Sequence, residues 1–343
     1  MRIDYRAVGG PFFDHLERGQ IYDRAPSVTL TDGLAAAHQA ILGDRLRLPL
    51  DRHLATAVVG GPVAHPGLVT DVAIGQSTLV THHVKANLFY RGLRLHHLPR
   101  IGDTLTTRTE VVGLRRNRLQ LGRAPTGLAA LRITTTDQAG RTVLDFYRCA
   151  MLPLSPDADV DDPETVDHAD DLTTIGAGNG TGDGTDEGAP WAVPDGWDLA
   201  AYRDAVPGAR DELPPPGTVL RSSADVVTGA PELARLTLNI AETHHDQRVS
   251  GGGRLVYGGH TIGLALSQAT RALPAMLTVL GWRSCDHTGP VHEGDTLSSD
   301  LTVGEATPLP GYGTALDLRS VVRAHREDGD HEVLDWSFTA LMP

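Results

Sequence analysis

Four short blocks of this 343-residue chain occur twice, in the same order and at nearly the same separation. IGDTLTTRTEVVG at 101–113 returns as EGDTLSSDLTVGE at 293–305, and the aspartates Asp103 and Asp295 are 192 apart. VLDFYRCAMLP at 143–153 returns as VLDWSFTALMP at 333–343, an offset of 190. Gly67 in HPGLVTDVAIG corresponds to Gly258 in YGGHTIGLALS at 191, and Asp51 to Asp246 at 195. A period this long excludes a solenoid, whose repeats are a few tens of residues. The chain is two copies of one domain.

Between the copies, residues 157–190 are rich in Asp, Gly and Thr and poor in large apolar groups. Such a stretch cannot bury enough surface to offset its ordering entropy. It reads as an acidic, Gly-rich flexible linker separating an N-terminal domain at 1–156 from a C-terminal domain at 191–343. Each copy reads as a short strand start (GQIY or GTVL), a helical stretch, and a central helix after Gly67 or Gly258. Three strands rich in Val, Leu and Thr then follow, punctuated by Gly and Asp. Strands that follow one another directly give an α+β fold, an antiparallel sheet packed on one long helix.

The acidic balance, 43 Asp and Glu against 30 Lys and Arg, argues against a nucleic-acid partner. No apolar run approaches the roughly 20 residues a membrane helix needs. The first 19 residues lack the charged-then-apolar order of a secretory signal. A cytoplasmic location is expected. Cys149 and Cys285 lie in separate apolar contexts and read as buried thiols.

Residues 238–274 concentrate the chemistry. Asn239, His244, His245 and Asp246 form a polar cluster, and a Gly-rich run leads to Tyr257, Gly258, Gly259 and His260. A helix then presents Ile262, Ala265, Leu266, Ala269 and Leu273 at the spacing of one buried face. The first-turn amides of a helix have no intrahelical partner and sit at its positive end, and glycine lets a ligand approach them. A base upstream and such amides downstream can polarise a carbonyl.

The order of elements, with GDTL opening a strand, resembles the hot-dog fold of MaoC-like acyl-CoA dehydratases, in its duplicated, double-hot-dog form. FFDHLERGQ at 12–20, ANLFY at 86–90 and GRTVLDFYR at 140–148, with NIAETHHD at 239–246 and RLVYGGHTIGLA at 254–265, are similar to the mesaconyl-CoA hydratase (β-methylmalyl-CoA dehydratase) branch. The resemblance implies reversible hydration of an α,β-unsaturated acyl-CoA with no cofactor and no metal. Against the family pattern D-x-N-P-x-H-x-D, His244 and Asp246 match, while Asn239 replaces the first Asp. In the first copy Asp44 and Asp51 match but Pro49 replaces the His. That copy is expected to be scaffold and acyl-pocket lining.

His244 is then the base, Asn239 the water holder, and Gly258 or Gly259 the oxyanion donor. Asp246 is expected to orient a neighbour, with Tyr257 and His260 beside the substrate. Arg248 and Arg254 are candidates for the CoA phosphates. Lys85 and Arg91 are alternatives for a cation deep in the pocket. The pairs His82–His83 and His96–His97, read as strand neighbours, point to opposite faces. A homodimer is an allowed assembly. Hydration of a straight-chain enoyl-CoA, non-catalytic acyl-CoA binding and thioester hydrolysis remain open beside the leading reading.

Overall fold

The computed structural model of the chain describes residues 8–159, 168–176, 196–250 and 253–343. Its strands are β1 (Ile21–Tyr22), β2 (Val28–Thr29), β3 (Ala86–Leu95), β4 (Thr104–Arg116), β5 (Thr126–Thr136), β6 (Thr142–Pro153), β7 (Val219–Arg221), β8 (Asp225–Val226), β9 (Thr278–Asp286), β10 (Thr296–Leu309), β11 (Gly313–Arg326) and β12 (Gly329–Met342). They form one antiparallel sheet in the order β1-β4-β5-β6-β3-β9-β12-β11-β10-β7, with β2 on β4 and β8 on β10. The two halves of that order repeat the same element sequence about the β3–β9 seam. This is the expected double hot dog.

The central helices Pro66–Gln76 and Gly258–Ala272 lie under the sheet. Both helices are buried nearly all round, rather than along the one face that the apolar spacing picks out in the second; His260, Thr261, Ser267 and Gln268 are as inaccessible as Ile262 and Leu266. Buried polar side chains need partners, and the repeat supplies them in register. Gln76 Nε2 donates to Leu105 O at 3.1 Å, and Gln268 Nε2 to Leu297 O at 3.0 Å. Pro66 opens the first helix, where its missing N–H costs nothing.

The seam strands β3 and β9 are the ones that the three-strands-per-copy reading lacks. Tyr90 pairs with Cys285 and Leu93 with Trp282 across it. Gly281 is required there, because a Cβ would stand 2.5 Å from Leu93 O.

Part of the expected flexible linker is ordered. Leu172 is buried against Leu128, Ala130 and Cys149 on the outer sheet face, with Ile175 packed beside them. Asp170 accepts the amide of Leu114 at 2.8 Å and pairs with Arg18 at 2.6 Å. Two apolar residues and one paired carboxylate are enough to hold 168–176 down. Residues 160–167 and 177–190 of the linker lie outside the described residues. Among the described residues no helix is long and apolar enough to cross a membrane, and both cysteines are buried free thiols.

Candidate active site

A cavity of about 620 Å³ lies between the second central helix and the first repeat's β3 and β6. Asn239, His244, Tyr257, Gly258 and Lys85 all line it, five of the residues singled out in the sequence.

His244 occupies the third position of a one-turn helix, Glu242–His245. Its Nδ1 lies 3.0 Å from Leu255 O. A carbonyl only accepts, so Nδ1 carries the proton and Nε2 keeps its lone pair. The side chain is 8% exposed. Burial lowers its pKa to about 4, so the ring is neutral at pH 7.

Asn239 Oδ1 accepts the amide of Ala241 at 3.0 Å, which fixes the orientation of the carboxamide. The NH2 is what remains for the cavity. Asn239 can therefore donate there and cannot act as base. In the first repeat Asp44 Oδ1 accepts the amide of Leu46 at 2.7 Å, the same turn. The shared position is a turn former before it is anything else, and Asn and Asp both serve.

Gly258 opens the second central helix with no side chain capping it. In the first repeat the matching amide, Gly67, donates to His65 Nδ1 at 3.0 Å. With that helix start closed by its own side chain and Pro49 in place of the base, the first repeat has neither of the two groups the second one offers.

Behind the cavity, Tyr257 donates from its hydroxyl to Asp71 Oδ1 at 3.0 Å, and Asp71 Oδ2 is 3.0 Å from His38 Nε2. Gly259 faces this contact rather than the cavity: a Cβ would lie 2.1 Å from Asp71 Oδ1. Of the two glycines, Gly258 lines the cavity and Gly259 does not.

Other expected binding residues lie elsewhere. Arg248 is 87% exposed and pairs with Asp246 at 2.6 Å, and neither lines the cavity. Arg254 pairs with Glu293 at 2.7 Å. Arg91 pairs with Asp286 at 2.6 Å and lies over the Phe89 ring. His260 is fully buried off the cavity, and neither ring nitrogen has a partner. Lys85 does line the cavity but is exposed, which puts it at the rim rather than at depth. In each case a carboxylate close in space, or a burial direction set by the fold, decides the outcome, and neither is visible in the linear sequence.

The pair His82–His83 sits in a turn, not a strand, and both rings meet Glu242 Oε1, at 3.1 and 3.3 Å. The three donor atoms lie within 4.8 Å of one another, close enough to share a cation. As they stand they tie the first repeat to the helix carrying His244. His96 and His97 diverge as read, to Asp145 and Asp137.

Three lining residues carried no sequence signal. Tyr90 and Arg148 face each other in the β3–β6 register. His287, whose pKa burial lowers to about 4, packs on Tyr90 with its Nε2 against Gly258.

A duplicated hot dog with one neutral histidine and one uncapped helix start at a single cavity defines a class: the chain is a double-hot-dog protein, similar to MaoC-like dehydratases. Among solved structures it is similar to RV0216 of Mycobacterium tuberculosis, described as a conserved hypothetical protein with a double hot-dog fold: 59% identity, 98% of this chain and 100% of that one, TM-score 0.90. It is also similar to a protein described as a MaoC-domain dehydratase from Chloroflexus aurantiacus, at 26% identity over 99% of both chains, TM-score 0.80. Among curated proteins it is similar to the β-methylmalyl-CoA dehydratase of Chloroflexus aurantiacus, at 27% identity over 97% of each chain. No family model matches the chain.

Proposed function

We propose that the protein reversibly hydrates an α,β-unsaturated acyl-CoA thioester, and that its substrate is of the mesaconyl-CoA (β-methylmalyl-CoA) type. One observation carries the reaction: the His244 tautomer fixed by Leu255, with its free Nε2 in the same cavity as the uncapped Gly258 amide. The substrate type rests on the likeness to the β-methylmalyl-CoA dehydratase along nearly the whole chain.

The thioester oxygen accepts from Gly258 N–H, and the helix dipole supports the charge that develops there. A donor of this kind is typically worth about 10²–10³ in rate. Asn239 donates its NH2 to the attacking water, and His244 Nε2 takes the proton as oxygen bonds to the β-carbon. The enolate then needs a proton at the α-carbon. The His244 imidazolium returns it, so one imidazole serves as base and acid. No step calls for a cofactor. Lys85, exposed at the rim, then meets the phosphates of CoA rather than a carboxylate at depth.

The test is loss of enoyl-thioester absorbance on incubation with mesaconyl-CoA, run beside His244→Ala. Turnover by the parent and its collapse in the variant support the assignment. Equal turnover in both removes it.

A further inference from the structure

Arg148 is 4% exposed and lines the cavity from β6 of the first repeat. Its Nη2 donates to Thr81 Oγ1, while its Nε is buried with no partner. Among the described residues no carboxylate comes within ion-pair distance, although most other arginines near the sheet have one. The groups around it that would favour its charge are Tyr90, Tyr257 and the Cys149 thiol. None of them is ionised near neutrality: burial raises both tyrosines well above their usual range and pushes Cys149 up to about 11. A guanidinium does not give up its proton in a protein. The fold therefore holds a buried, uncompensated positive charge in the wall of its substrate cavity. A charge left this way is strongly disfavoured unless an anion joins it.

We propose that Arg148 is the residue that receives the free carboxylate of the dicarboxylic acyl group named above, and so sets the selectivity of the cavity. This rests on the acyl-CoA reading of the cavity and deepens it. The planar fork of an arginine suits a carboxylate, and its unpartnered Nε is one of the donors such a group would use. The equivalent position in β12 of the second repeat, at an offset of 190, is Phe338, so that repeat has no matching arginine. The division of labour follows: the repeat without a base supplies the selectivity, and the repeat with the base supplies the chemistry.

The test separates this proposal from the hydratase reading by using thioesters that cannot be hydrated. Succinyl-CoA and butyryl-CoA have acyl chains of equal length, with and without a terminal carboxylate. Calorimetry on the full chain should show succinyl-CoA binding about 10- to 100-fold more tightly, the range expected for a charged hydrogen bond. In Arg148→Met that ratio should collapse toward one, and in Arg148→Lys it should be partly restored. Circular dichroism establishes that each variant is folded, and the lysine variant answers the question should the methionine variant not fold. A parent protein with no preference, or a variant that weakens both ligands alike, overturns the assignment. Preserved selectivity in binding without hydration of mesaconyl-CoA would remove the hydratase reading and leave Arg148 in place.

Discussion

The Tyr257 hydroxyl lies 3.0 Å from Asp71 Oδ1, and the two residues come from different repeats. Tyr257 leads into the helix Gly258–Ala272; Asp71 sits inside the helix Pro66–Gln76 of the other copy. The position of Asp71 in the second repeat, at the offset of 191, is Ile262. One repeat has thus kept a buried carboxylate whose use is to brace the other.

Tyr257→Phe should lower stability more than it lowers rate. It removes one hydroxyl and leaves Asp71 Oδ1 buried without a donor, a loss of about 1–3 kcal/mol. Denaturant unfolding should show it as a lower midpoint at unchanged slope, with kcat for mesaconyl-CoA falling by less than about tenfold. A loss of rate on the scale of the His244 variant would assign the hydroxyl to the chemistry instead.

His244→Ala should reduce kcat by about 10²–10⁴, the usual contribution of a positioned proton carrier. The ring also fills space against Tyr257, at 5.9 Å between centroids. Some loss of thermal stability is expected with it, and His244→Gln should recover stability without recovering rate.

The acid limb of kcat/KM should lie near pH 4 to 5, well below 6.5, because burial holds the free imidazole neutral down to about 4. Asn239→Asp shifts this limb. One oxygen can keep the Ala241 turn while the other places an anion in the cavity, and an anion favours the imidazolium. The limb should move to higher pH. An unchanged limb would mean that another group than His244 titrates in catalysis.

Folding stability should fall as pH drops from about 6.5 toward 4. Burial lowers the pKa of His244, His260 and His287 to about 4 each. Between that value and 6.5 the unfolded chain binds protons that the folded chain refuses, so stability rises with pH across the window and is lost on acidification. Each unit of depression corresponds to about 1.4 kcal/mol. Urea midpoints at pH 7 and pH 5 check it. A midpoint that held or rose at pH 5 would contradict these burials.

Much of this could be read from the chain before any coordinates. Offsets of 190–195 carried the duplication, and GDTL with the helix after Gly258 carried the hot dog. His244, Asn239 and Gly258 stood out through the resemblance to the family pattern and the helix that follows Gly258. Arg148 did not, and the reason is physical. In β6 the residues from Arg148 to Ala150 are buried one after another, because the helix covers one face and Leu172 of the segment 168–176 packs on Cys149 on the other. Strict alternation is lost, and with it the means of telling an inward arginine from an outward one. Arg248, Arg254 and Arg91 looked like ligands for phosphate or carboxylate until the fold brought them to Asp246, Glu293 and Asp286.

The seam where Tyr90 meets Cys285 and Leu93 meets Trp282 sits in the middle of the sheet rather than at a border. Severing the gene between its halves would turn that interior into two raw edges, each lined with unpaired backbone and aromatic side chains. The two copies are free to diverge in sequence, and have done so, yet neither can be discarded: a lineage that lost the half without the histidine would lose the enzyme as surely as one that lost the other.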